Sequence, residues 1–176
     1  MVKQSAGIVL YRKKDDAVEV LLGHPGGPFF VKKDDGVWSI PKGEFAEDED
    51  ALQAAEREFS EEIGMPVPAG TRQPLGSVKL SNGKIVYAWA VQGDLDQSAI
   101  KSNNFSLEWP PKSGQKQEFP EIDRAGWFTL RDATEKLYKY QTPLIKRLAT
   151  LLNLGPEDPS LAVDTIDITP TQPSLF

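Results

Sequence analysis

The stretch from Gly43 to Met65, GEFAEDEDALQAAEREFSEEIGM, limits what this chain can become more than any other. Pro41-Lys42-Gly43 reads as a turn leading into it, and the acidic run Glu47, Asp48, Glu49 and Asp50 suits the positive end of a helix dipole. Leu52, Ala55, Phe59 and Ile63 recur every three or four residues, which predicts a helix with one apolar stripe. Gly64 supplies its C-terminal stop, and Pro66 forbids continuation. Beside the stripe, Glu58, Glu61 and Glu62 stand at i, i+3 and i+4 and share one face, with Arg57 one turn before Glu61. Two like charges about 4 Å apart repel by roughly 1 kcal/mol in water and by about 4 kcal/mol at an effective dielectric near 20. Spacing alone leaves two ways to relieve this. The face stays in solvent, or its hard oxygen ligands hold Mg²⁺ or Mn²⁺.

At 176 residues the chain suits one domain with a proper core. Its net charge of −6 and lack of a long basic run argue against sequence-independent DNA or RNA binding. The absence of cysteine excludes disulfides, thiol nucleophiles and cysteine–zinc sites. The N-terminal apolar run ends at Arg12 and is too short for a signal peptide, and no apolar stretch is long enough to span a membrane. A soluble cytoplasmic protein is the expectation. The oligomeric state is not written in the sequence.

GIVLY (7–11) and VEVLL (18–22) predict a hairpin. His24-Pro25-Gly26-Gly27-Pro28 reads as loop, with His24, the single histidine, either touching substrate or, as the commoner case, a plain surface residue. Val37 to Ile40 is a predicted short strand. Leu75–Leu80 and Ile85–Val91 form the clearest hairpin, with Asn82-Gly83 at its tip. Phe105, Leu107 and Trp109 alternate as an edge strand stopped by Pro110-Pro111, and Lys112–Glu118 reads as polar, mobile chain. A strand over Ala125–Leu130 precedes a short helix over Leu130–Tyr138 and a stronger one from Thr142-Pro143, with Leu144, Ile145, Leu148, Leu151 and Leu152 on one stripe. The domain is expected to span residues 1–154. Residues 155–176 read as an irregular tail, in which Leu161, Val163, Ile166 and Ile168 offer an alternative edge strand.

The spacing Gly43, five residues, Glu49, seven residues, then Arg57-Glu58-Phe59-Ser60-Glu61-Glu62-Ile63-Gly64-Met65 resembles the signature of the Nudix hydrolases at every fixed position. The resemblance implies an α/β/α sandwich with a mixed sheet. It implies Mg²⁺- or Mn²⁺-dependent hydrolysis of a phosphoanhydride in a nucleoside diphosphate linked to another group. Position by position, it makes Glu61 and Glu62 the main metal ligands, Glu58 a ligand or the base, and Arg57 the residue orienting Glu58. Glu49 would act through a water or a hydrogen bond, and Lys42 would offer its backbone carbonyl. A further carboxylate usual in the family falls on Glu121 or Glu118. Pro120-Glu121-Ile122-Asp123 resembles the matching stretch in the branch that removes pyrophosphate from RNA 5′ ends, which favours Glu121 and leaves Glu118 just outside the ligand set.

Pro41-Lys42-Gly43 resembles branches acting on diadenosine polyphosphates, diphosphoinositols or mRNA caps, and the diadenosine compounds are the favoured small-molecule substrate. Lys32, Lys33, Lys79 and Arg12 are candidates for extra phosphates. Tyr87, Trp89, Phe29 and Phe30 are candidates either for base stacking or for ordinary packing. Two alternatives stay open: a house-cleaning nucleoside triphosphate pyrophosphohydrolase, and a non-catalytic nucleotide-sensing module, which usually lacks a glutamate that this chain keeps.

Overall fold

The fold is built outward from one strand, β1 (Gln4–Lys14), whose residues Ser5 to Tyr11 are all buried. Burial on both faces explains why it reads as a continuous apolar run. The computed structural model describes residues 1–162. Val163, Ile166 and Ile168, the potential edge strand, lie outside the described residues.

On one side of β1, β2 (Ala17–Pro25) pairs antiparallel from Tyr11↔Val20 to Lys14↔Ala17, and β8 (Ile122–Thr129) pairs antiparallel with β2. On the other side β5 (Ile85–Gln92) runs parallel, edged by β4 (Gln73–Lys79) through the Asn82-Gly83 hairpin. The spatial order is β4-β5-β1-β2-β8, with β3 (Lys42–Glu44) also on β1, so the sheet is mixed.

α1 (Ala51–Ile63) buries Ala54, Ala55, Phe59 and Ile63 on one face of the sheet, against Ala6, Ile8, Leu10, Leu21 and Val91. Asp50 caps it by accepting from the Gln53 N–H at 3.0 Å. Gly64 closes it in the left-handed region at φ 78, its N–H donating to the Ser60 carbonyl at 2.8 Å. The rest of the acidic run lies before the helix, and the first turn itself carries no acid. α2 (Leu130–Lys136) and α3 (Thr142–Leu151) cover the other face. There Leu130, Ala133, Leu144, Ile145 and Leu148 pack with Val9, Val20, Val78 and Val86. The result is the α/β/α sandwich that the family resemblance implied. Among the described residues, no helix is long and apolar enough to cross a membrane.

Four local readings are corrected. Lys42-Gly43 is strand β3, paired with Ser5–Gly7, because β1 offers it an open edge. Val37–Ile40 is not a strand: Ser39 makes one isolated bridge to Gly23, and Trp38 another to Leu137. His24 and Pro25 end β2, and His24 is fully buried. The fourth concerns Lys112–Glu118. Lys116–Pro120 forms β7, paired antiparallel with β6 (Asn104–Glu108) in a separate two-stranded sheet. Polar residues enter that strand because the alternating partner across it, not their own propensity, supplies the ladder.

Residues 155–162 form turns, yet Ser160 is fully buried. Its hydroxyl accepts from the Val18 N–H at 2.6 Å, and its carbonyl accepts from the Arg131 N–H at 3.0 Å.

Candidate active site

β1 and β2 stop pairing beyond Tyr11↔Val20, and the chain from Trp38 to Glu44 enters the gap between them. Ser39 and Gly23 exchange backbone bonds of 2.9 and 3.0 Å, and the Ile8 N–H donates to the Pro41 carbonyl at 3.1 Å. Alternation along the antiparallel ladder then leaves Lys42 opposite Gly7 in a non-bonded pair, with its N–H and C=O both pointing away from β1. The N–H donates to Glu62 Oε2 at 3.0 Å. A Cβ at Gly43 would overlap the Glu58 carboxylate, so the missing side chain is what lets α1 approach β3. Both glutamates are thus set against the backbone of β3.

Arg57 binds the exposed side of the cluster. It donates to Glu49 at 2.9 and 3.2 Å, to Glu58 at 2.7 Å and to Glu61 at 3.3 Å. Hydrogen bonding to Arg57 holds the Glu49 carboxyl below its ordinary range. Glu58 goes the other way: burial raises it more than Arg57 lowers it, and the charges of Glu61 and Glu49 add to the rise. Glu62, the most buried, is pushed up to about 8 by burial, against the Lys42 N–H and with Glu121 and Glu58 adding to the rise.

Glu121 joins this group from the bend between β7 and β8. Partial burial raises its carboxyl, with the charges of Glu58 and Glu61 contributing. With Lys42 and Glu62 it lines a pocket completed by Gly23, Pro25, Ser39 and Tyr138. Glu118 sits opposite Ser106 in β7 and is exposed, outside that pocket. Glu62 and Glu121 thus line one pocket, and the charges of Glu58 and Glu61 act on Glu121. Among the described residues, no three acidic or imidazole groups yet close on a single point. The donor set is all hard oxygen, which fits Mg²⁺ or Mn²⁺, with Arg57 paired to Glu58 and Glu61 and Lys42 lining the pocket beside Glu62.

The remaining candidates lie elsewhere. Arg12 is spent on Glu19 and Asp94 at 2.8 and 2.9 Å and stacks on Trp127 at 4.2 Å. Lys79 is exposed on the outer strand β4. Lys32 and Lys33 are exposed on the loop after β2, with Lys33 Nζ 5.4 Å from the Phe30 ring. Tyr87 packs edge-on to Phe45 at 6.3 Å, and Trp89 packs on the α1-side core. Phe29 is exposed and meets Trp109 edge-on at 5.4 Å.

Two residues escaped the sequence reading. Tyr138 lines the pocket and stacks with Tyr140 at 6.0 Å. His24, expected at the surface, is bonded through Nδ1 to Asp123 at 2.8 Å and through Nε2 to the Lys33 carbonyl at 2.7 Å. The signal for Tyr138 was a tyrosine-rich junction between two helices. For His24 it was its place straight after an apolar strand.

The family model for the NUDIX domain matches residues 1–148. No curated protein matches the chain. Among solved structures, the chain is similar to a binary complex of the Ap4A hydrolase of C. elegans, at 24% identity over 86% of this chain and 98% of that one, TM-score 0.60. It is similar also to the NUDIX domain of Shewanella oneidensis NrtR complexed with ADP ribose, at 18% identity over 86% and 89%, TM-score 0.60. A mutT/nudix family protein from Listeria innocua matches at 18% identity over 86% and 94%, TM-score 0.56. At these identities the likeness is one of fold.

Proposed function

The chain belongs to the Nudix family, and on that premise we propose that it is a Mg²⁺- or Mn²⁺-dependent hydrolase of nucleotides carrying more than two phosphates, diadenosine polyphosphates first among them. As a Nudix enzyme it is a pyrophosphohydrolase acting on acid anhydrides. The observation that carries the metal assignment is that Glu121, far along the chain, lines one pocket with Glu62 and Lys42, beside the helix that also bears Glu58 and Glu61.

Glu61, Glu62, Glu121 and the Lys42 carbonyl form the ligand set in this reading. Divalent ions held there would supply neutralisation of the phosphate charge and a more acidic water. Glu58, half-buried and raised, takes the proton from the attacking water. Arg57 holds one oxygen of Glu58 at 2.7 Å and leaves the other toward Gly43. Glu49 anchors the far side of the Arg57 guanidinium. Tyr138 offers an aromatic face at the pocket wall, suited to a nucleobase. Lys42 at the same pocket suits a phosphate chain longer than two.

A product-resolved screen of nucleoside triphosphates, ADP-ribose, diadenosine polyphosphates and diphosphoinositols, with and without Mg²⁺, tests both halves. Diadenosine tetraphosphate is expected to turn over faster than ADP-ribose, and EDTA to abolish turnover. A tenfold preference for ADP-ribose, about 1.4 kcal/mol in transition-state terms, overturns the substrate. Turnover surviving in EDTA overturns the metal.

A further inference from the structure

Glu121 sits in a bend between two strands, where an acidic side chain is ordinarily left loose, yet its peptide is held at both ends. Its N–H donates to the Asn103 carbonyl at 2.8 Å, and its carbonyl accepts from the Gly26 N–H at 3.0 Å. The next N–H, of Ile122, donates to the Ser102 hydroxyl at 3.0 Å. The chain at 101–103 is in turn fastened to the end of α1: the Asn103 N–H donates to the Glu61 carbonyl and the Lys101 N–H to the Ile63 carbonyl, each at 3.0 Å. A line of backbone bonds therefore runs from Glu61 through Asn103 and Glu121 to Gly26.

The geometry at each end is restrictive. A Cβ on Gly26 would overlap the Pro120 carbonyl, so only glycine lets the end of β2 close on the peptide preceding Glu121. One residue later, β8 carries a bulge: His24 pairs with Arg124 and Pro25 with Ile122, which leaves Asp123 as the extra residue. Its carboxylate bonds the buried His24, pinning the bulge to β2. The β6–β7 hairpin leaves at Asn104 and returns at Pro120, paired at its base, so it projects from this clamp without forming part of it.

We propose that Gly26 and Ser102 are positioning residues, which act through the peptide of Glu121 to hold its carboxylate in register with Glu58, Glu61 and Glu62. This rests on the reading of Glu121 as a metal ligand. The arrangement gives a reason for the glycine in His24-Pro25-Gly26 that turn formation does not, since no φ in the left-handed region is required there. Residues that orient a ligand without touching the ion typically alter affinity by about 10- to 100-fold.

The test is a double-mutant cycle read by isothermal calorimetry of Mn²⁺ alone, with turnover of diadenosine tetraphosphate as a second readout. Gly26→Ala should weaken Mn²⁺ binding by about tenfold, and Ser102→Ala by about threefold, while Gly155→Ala, where an added methyl meets open space, leaves it unchanged. In a Glu121→Gln background neither Gly26→Ala nor Ser102→Ala should weaken binding further. Equal losses in both backgrounds would make the effect general to the fold and overturn the proposal. So would wild-type Mn²⁺ affinity in both variants. If Gly26→Ala fails to fold, Ser102→Ala, which removes one hydroxyl, carries the cycle by itself. If Glu62→Gln weakens Mn²⁺ binding while Glu121→Gln leaves it at the parent affinity, the helix site stands and the positioning proposal falls with Glu121. If neither matters, the metal reading itself is wrong.

Discussion

Gly43 shows how a single residue decides whether the helix carboxylates can work. Glu58 occupies the space a side chain would need, so Gly43→Ala must push either Glu58 or β3 aside. The Lys42 N–H bond to Glu62, one residue away, would be strained by the same shift. Gly43→Ala is expected to lower kcat at least about tenfold with the domain still folded, and a circular dichroism melt beside the rate measurement separates the two effects. Glu121 and Glu118 make a sharper comparison. On the proposed metal reading, Glu121→Gln should lower kcat by at least about a hundredfold, because a carboxylate that would hold the ion is removed. Glu118→Gln, exposed in β7 and outside the pocket, should cost less than about tenfold. Comparing the two at saturating Mg²⁺ identifies the glutamate that serves. Mg²⁺ is expected to raise the melting temperature of the parent protein through binding linkage, and Glu62→Gln, which removes the most buried of these carboxylates, should abolish that rise.

Among the elements, α1 and α3 were readable from periodicity because each buries a single stripe. Phe59 and Ile63 meet the sheet from one side, and Leu144, Ile145 and Leu148 from the other. Leu148→Ala should cost about 2–5 kcal/mol of stability by leaving a cavity in the α3 face, whereas Lys146→Ala, exposed on the same helix, should stay within about 0.5 kcal/mol. Urea denaturation of the pair checks this. β3 and β7 were not readable. Lys42–Glu44 and Lys116–Pro120 lack strand periodicity and pair only because β1 and β6 present open edges to them.

At the scale of the whole molecule, residues 155–162 are tied back to the sandwich through Ser160. Ser160 crosses from the end of α3 to the start of β2, accepting from Val18 and from Arg131. Leu161 adds partly buried apolar surface to the α2–α3 side of the core. A chain ended at Leu154 should therefore unfold at lower denaturant than one ended at Ala162, and Ser160→Ala in the full chain should reproduce about 1–3 kcal/mol of that loss by orphaning the buried Val18 N–H. Equal midpoints for the two truncations would show that residues 155–162 are not part of the cooperative unit.

The family, the sandwich and the position of the acidic helix were all legible in the amino-acid order, since each depends on local spacing: a glycine, seven-residue and one-turn intervals, an apolar stripe, a capped end. What the order could not contain is which distant groups come to meet that helix. His24 looked like loop and is a buried pin. Arg12 looked free and is paired with Glu19 and Asp94. Tyr138 was marked only by a tyrosine-rich junction between two helices and lines the pocket. Glu121 was favoured over Glu118 by resemblance alone, and the bulge at Asp123 with the Asn103 and Gly26 clamps now gives the two different surroundings. Local periodicity is set by neighbours within a turn or two, whereas a site is assembled where β1 and β2 part, and that divergence depends on pairing between segments far apart in the chain.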